Sequence, residues 1–167
     1  IFLGHALSNI LIEAGYEVVQ VCLYNDGGTN ISKSMLAWNK WGEGETPESS
    51  HKKGDHFVGD YYVKFGQELK NEVKEMQEKG KSEEEVMKAS ELQAAVSDLT
   101  RQWEENETDT VALWEQMNSW VYQGFDQTYK SVGIKFDQFY YESKTYLLGK
   151  DVISEGLASN VFFKKED

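Results

Sequence analysis

The sequence predicts a helix-rich α/β fold interrupted by an all-α segment. Three observations point there. A β-branched run near the N-terminus is flanked by helical stripes, three amphipathic stripes follow one another in the middle, and strand and helix patterns return towards the C-terminus. The 167 residues suit one domain, or one domain with an insertion, and suffice for a hydrophobic core. Five Trp, nine Tyr and eight Phe exclude the disordered class, which lacks the aromatics to offset chain entropy.

The first element is a helix. Leu3, Leu7, Ile10, Leu11 and Ala14 recur at steps of three and four, and Gly15 is placed to stop it. The run Glu17–Tyr24 is almost continuously apolar and β-branched, the pattern of a strand buried on both faces of a parallel sheet. Turn chemistry follows at Asn25-Asp26-Gly27-Gly28, and Thr29 is the expected N-cap of a helix carrying Ile31, Met35, Trp38 and Trp41. Helix, buried strand, glycine turn and helix together form the layout of a Rossmann-like α/β unit.

Residues 42–56 are polar, hold the only proline, and read as a loop. Three helical stripes follow. The first runs through Val58, Tyr62, Phe65, Leu69, Val73 and Met76. The second is opened by a capping-box pattern at Ser82-Glu83-Glu84-Glu85 and carries Val86, Ala89, Val96, Leu99 and Trp103. The third has Trp114, Met117, Val121, Phe125 and Tyr129. Beyond Tyr129, residues 133–137 read as a turn and Phe139-Tyr140-Tyr141 as a short strand. Ser143 is the expected cap of a helix with Leu147, Leu148, Val152, Ile153 and Leu157, closed by Ser159-Asn160. The expected divisions are 1–41 and 119–167 for the sheet domain and 42–118 for the helical insertion. The opening at Ile1 without Met and the closing run Val161-Phe162-Phe163 read as a piece of a longer protein.

Charge narrows the function. The formal net charge is −12, and Glu72 to Asp109 holds twelve acids against five cations, a solvated acidic face on the insertion. Arg101 is the only arginine against sixteen lysines, so the chain lacks the bidentate forks that read phosphates and guanines and is a poor nucleic-acid binder by itself. No run approaches the apolar length of a membrane span. A single cysteine, Cys22, cannot form an internal disulfide, so a cytoplasmic setting is expected.

Few residues offer chemistry. Asn25 to Thr29 lies between a strand and a helix but fits neither G-x-G-x-x-G nor a P-loop, and a structural turn is the simpler reading. His51 and His56 flank Asp55 in a polar loop with nothing to complete a metal site. Cys22, within an apolar strand, is expected to pack. Glu142 follows the aromatic strand directly. Ligands of open α/β sheets bind beyond the carboxyl ends of strands, and a carboxylate beside aromatic rings suits a cationic group.

Longer strings are more specific. Gly15-Tyr16-Glu17-Val18-Val19, Asn25-Asp26-x-Gly28 and Lys33-Ser34-Met35-Leu36-Ala37-Trp38 come first. Gly44-Glu45-Thr46-Pro47-Glu48, Lys53-Gly54-Asp55-His56 and Gly59-Asp60-Tyr61-Tyr62-Val63 follow. Trp120-Val121-Tyr122-x-Gly124-Phe125-Asp126 and Tyr140-Tyr141-Glu142-Ser143-x-Thr145-Tyr146 complete the series. In this order they resemble the class I arginyl-tRNA synthetases over essentially the whole chain, in particular the bacterial branch with an elaborate helical insertion.

The resemblance implies part of a Rossmann-like catalytic domain with its all-α insertion. It implies a ligase that activates L-arginine with ATP, aided by Mg²⁺, and passes the arginyl group from arginyl-adenylate to the 3′ end of tRNA(Arg). It also implies a cytoplasmic enzyme without a membrane segment, expected as a monomer. Leu3-Gly4-His5 and Ser32-Lys33-Ser34-Met35 superficially look like the family's two nucleotide signatures, H-I-G-H and K-M-S-K-S, but sit at the wrong distances. Both signatures are expected outside this sequence, so no catalytic residue is assigned and the piece alone is expected to be inactive. The family's Gly-Asp-Trp-Gly-Thr-Gln stretch keeps Asp26, Gly28 and Thr29 here, with Asn25 and Gly27 departing, and its Gly-Glu-Ser element corresponds to Tyr141-Glu142-Ser143. Substrate binding is thus expected of Glu142, towards the arginine guanidinium, and of Asp26. An alternative of another class is a non-catalytic acidic helical protein-binding module docking a basic partner.

Overall fold

A computed structural model describes residues 1–82, 85–86 and 89–165, with the side chain of Leu147 left aside. Glu83 and Glu84 of the expected capping box and the terminal Glu166 and Asp167 lie outside the described residues. Among the described residues the fold is helix-rich, with one small two-stranded sheet. It packs as two compact units, one formed by Ile1–Gly27 with Val132–Asp167 and the other by Gly28–Ser131.

The first unit begins with α1 (Phe2–Glu13). Gly15, at φ +91°, closes it: the Gly15 N–H donates to the Ile12 carbonyl and the Tyr16 N–H to that of Leu11, the paired bonds of a left-handed helix stop. Strand β1 is Val21–Tyr24 and pairs in parallel with β2, Gln138–Tyr141, in the register Val21 with Gln138 through Tyr24 with Tyr141. The expected strand from Glu17, buried on both faces, is therefore corrected. Four residues are in the ladder, Val21 and Leu23 are 51% and 59% exposed, and only Tyr24 is buried. Pairing stops at Gln20 because Asp137 takes over there: the Gln20 N–H donates to Asp137 Oδ2 at 2.7 Å and the Asp137 N–H to the Gln20 carbonyl at 2.8 Å. With one partner strand among the described residues, the face that carries Val21 and Leu23 stays exposed. The last helix, α7 in chain order, spans Glu142–Ala158 and ends on Asn160 at φ +58°.

Among the described residues the regular elements of the second unit are all helices. Its elements are α2 (Thr29–Trp41), α3 (Pro47–Ser50), α4 (Gly54–Glu78), α5 (Glu91–Glu104) and α6 (Thr108–Ser131). Three local expectations are corrected. Thr29 is the first helical residue, not the cap; Gly28 at φ +79° takes the cap position, a conformation open to a residue without Cβ. Residues 42–56 are not all loop: Thr46 and Ser49 form a reciprocal capping box around Pro47, and α4 already starts at Gly54. The second stripe is divided, since Ser90 starts α5 afresh. Its Oγ accepts from the Gln93 N–H, and Glu72 of α4 reaches across to accept from the Ser90 hydroxyl and the Glu91 N–H at 2.6 and 2.7 Å. Ser82 and Glu85 do pair as expected, with the Ser82 N–H donating to the Glu85 carboxylate at 2.8 Å.

The core of this unit joins Met35 and Ala37 of α2, Phe57, Val58, Tyr61 and Phe65 of α4, Leu92 and Val96 of α5, and Met117 and Trp120 of α6. Trp120 receives Phe57 edge-on at 5.4 Å and Trp38 at 6.0 Å. Helices α4 and α6 touch backbone to backbone. A Cβ on Gly54 would overlap the Trp120 carbonyl, and one on Gly124 would overlap Asp55. Because α2 supplies part of this core, the packed unit is wider than the expected 42–118 segment. Residue 119 falls inside the unbroken α6.

Candidate functional site

Both parallel strands end at the same place. Tyr24 pairs with Tyr141, so the chain leaves β1 towards Asn25-Asp26 and leaves β2 directly into α7, whose first residue is Glu142. This is the carboxyl edge of the sheet, where loops and helix N-termini of an open α/β unit gather. Three rings floor it: Tyr24 stacks on Phe139 at 5.6 Å and meets Tyr141 at 5.6 Å in a tilted pair.

The two sequence-predicted site residues come together here with different surroundings. Asp26 is 3% exposed, and its carboxylate is engaged by α7: the Ser143 N–H donates to Oδ1 at 2.8 Å and the Ser143 hydroxyl to Oδ2 at 2.7 Å. Ser143 therefore does not cap the helix as expected. The cap position is Tyr141, whose side chain makes no cap hydrogen bond, and a carboxylate 117 residues away does the work. A buried carboxylate is costly without donors, and two at this distance satisfy it. Glu142 is exposed, and among the described residues its carboxylate makes no hydrogen bond or ion pair. It also lies in the first turn of α7, where the helix dipole favours a negative charge. Lys144 Nζ lies over the Tyr141 ring, 5.1 Å from its centroid.

The remaining candidates lie elsewhere. His5 is on α1, its Nδ1 3.0 Å from Gln20 Oε1, and Ser32, Ser34 and Met35 are buried on α2, so neither look-alike string forms a nucleotide loop. His51 closes α3 at φ +55° and His56 is exposed on α4. Cys22 is half-buried on β1. Among the described residues no group of three or more His, Cys, Asp or Glu gathers to hold a metal ion. The Asp26–Ser143 link is the feature that sequence reasoning missed. Its only trace was an Asp just past a strand and a Ser just inside a helix.

No protein-family profile matches this chain. Individual proteins do. The arginine–tRNA ligase of Bacteroides fragilis is 54% identical over 165 residues, that of Bacteroides thetaiotaomicron 53%, and that of Parabacteroides distasonis 48%, each alignment covering 99% of this chain. The chain is homologous to a segment of arginine–tRNA ligase. It spans 28% of the length of these curated relatives. No helix among the described residues is long and apolar enough to cross a membrane.

Proposed function

We propose that this segment supplies the arginine-holding edge of an arginine–tRNA ligase, with Glu142 as the carboxylate that receives the guanidinium. The observation that carries the reading is the contrast at the sheet edge. One acid is buried and engaged, and its neighbour, Glu142, is exposed, unpaired among the described residues and set at a helix start beside aromatic rings. A planar fork of N–H donors pairs bidentately with such a group, and Tyr140, 44% exposed, offers a ring face nearby in sequence.

In the whole protein, an arginine carboxylate oxygen attacks the α-phosphorus of ATP and pyrophosphate leaves. A terminal ribose hydroxyl of tRNA(Arg) then takes the arginyl group and AMP leaves. This chain's contribution is binding and orientation of the amino acid. The described residues gather no cluster fit for Mg²⁺, so no step is assigned to the ion here. The parallel β1–β2 pair with helices following each strand supports a Rossmann-like origin for the first unit, and residues 42–118, which pack against α2 and run into the first half of α6, serve as the helical insertion. The whole protein acts as a monomer in the cytoplasm.

The test is Glu142→Gln in the full-length protein. Losing one charge-assisted pair costs about 1.5–3 kcal/mol, so the arginine KM should rise by roughly tenfold or more while the ATP KM moves little. Equal shifts in both, or none, would remove Glu142 from the guanidinium. The 167-residue chain contains neither H-x-G-H nor K-M-S-K-S, and arginine-dependent ATP–pyrophosphate exchange by it should not exceed a buffer control.

A further inference from the structure

We infer that Asp26 is a positioning residue for arginine recognition, acting on Glu142 through Ser143 rather than on the substrate itself. The inference rests on the assignment of Glu142 to the guanidinium. Its basis is the way the ladder is continued. Tyr24 and Tyr141 are the last paired residues, Asp26 lies two beyond the one and Ser143 two beyond the other. Past Tyr141 the backbone turns helical and backbone pairing with β1 ends. The Asp26 side chain replaces it, taking the Ser143 N–H and hydroxyl on separate oxygens at 2.8 and 2.7 Å. The Ser143 N–H is one of the four at a helix start without an intrahelical partner, and the residue before the helix, Tyr141, makes no side-chain cap bond to it.

The consequence falls on Glu142, which lies between the paired residue Tyr141 and the clamped residue Ser143. Its backbone is thereby held on both sides, and only its side chain is left to move. The Thr145 hydroxyl adds a third tie, donating to the Tyr141 carbonyl at 3.1 Å. Asp26, at 3% exposure and with both oxygens engaged, does not present a free face to a ligand. A fork of N–H donors demands a fixed carboxylate, so precision at Glu142 is worth affinity.

The experiment uses the full-length protein with Asp26→Ala, Asp26→Asn, Ser143→Ala, Glu142→Gln and the Asp26→Ala/Glu142→Gln double variant. Arginine KM, ATP KM and amide exchange of the first turn of α7 are measured. Asp26→Ala should raise the arginine KM about tenfold and the ATP KM less than about twofold. It should speed exchange at Ser143 and add less than about twofold to the arginine KM in the Glu142→Gln background. Asp26→Asn, which keeps one acceptor oxygen, should recover part of the loss. If Asp26→Ala does not fold, Asp26→Asn and Ser143→Ala carry the same comparison with smaller changes. Fully additive effects of Asp26→Ala and Glu142→Gln would show that Asp26 acts independently and would overturn the inference, as would equal changes for arginine and ATP. A large effect of Glu142→Gln with none from Asp26→Ala sinks the positioning role and leaves the Glu142 reading standing. No effect of Glu142→Gln on arginine KM sinks the Glu142 reading, and the positioning role with it.

Discussion

The two packed units use the same kinds of residue to opposite ends. In Gly28–Ser131, aromatic and aliphatic side chains from four helices close on one another, and among the described residues only Tyr62 and Val63 remain as large exposed apolar groups. In Ile1–Gly27 with Val132–Asp167, the buried apolar set among the described residues shrinks to Tyr24 and Ile134, while Leu3, Leu148, Val161 and Phe163 are 66–84% exposed. A helical bundle satisfies its backbone within each helix and can bury its stripes internally. A two-stranded parallel sheet cannot, because both its faces need cover. The stable mass of the molecule and the candidate site are thus in different units, and substitutions should read out accordingly.

The largest difference is expected at the core. Phe57→Ala or Phe65→Ala, at positions 1% and 2% exposed, should cost about 3–5 kcal/mol by thermal or denaturant unfolding of this chain. Leu3→Ala and Leu148→Ala, at 84% and 66% exposure, should stay within about 0.5 kcal/mol. Comparable losses in both pairs would break the contrast.

Glycine replacements sharpen it at smaller cost. Gly54→Ala drives a methyl group into the Trp120 carbonyl, which backbone hydrogen bonding holds in place, and should destabilise the helical unit by about 1–3 kcal/mol. Gly149→Ala, within α7, meets nothing within 4 Å and should be neutral or stabilising by up to about 1 kcal/mol. A stabilising Gly54→Ala would mean that α4 and α6 do not approach as closely as described.

A titration gives an effect confined to alkaline pH. Burial above all, then the hydrogen bond to Glu45 at 3.0 Å, pushes the Tyr61 phenol up to about 12 from its ordinary 10.0. A group whose pKa is raised by folding gives its full support below its unfolded value, and that support is lost as pH rises through the folded value. Stability of the helical unit should therefore fall between about pH 10 and 12, and Tyr61→Phe should flatten that slope. An unchanged alkaline slope in Tyr61→Phe would place the titration elsewhere.

Much of this was legible from residue periodicity. The stripes of Val58 to Met76 and of Trp114 to Tyr129 became α4 and α6, and Gly15 and Asn160 stand where helices stop. Short-range capping was partly readable: Ser82 with Glu85 was visible, while Thr46 with Ser49 was hidden in a stretch whose polarity suggested only a loop. What could not be read were links across long separations. Glu72 capping α5 and Asp26 holding α7 join residues 19 and 117 apart, and one sequence carries no signal that pairs them. The strand was overextended for a related reason. An apolar run states that burial is wanted, whereas the partners that would supply it are not written in the run itself.

Amide hydrogen exchange on the 167-residue chain tests the contrast between the units most directly. Protection should be high in α4 and α6 around Phe57, Phe65, Met117 and Trp120, and low in α1, β1, β2 and α7. Protection as strong in Val21–Tyr24 and Glu142–Ala158 as in the helical core would contradict it, showing that the sheet-bearing unit is stable without further cover.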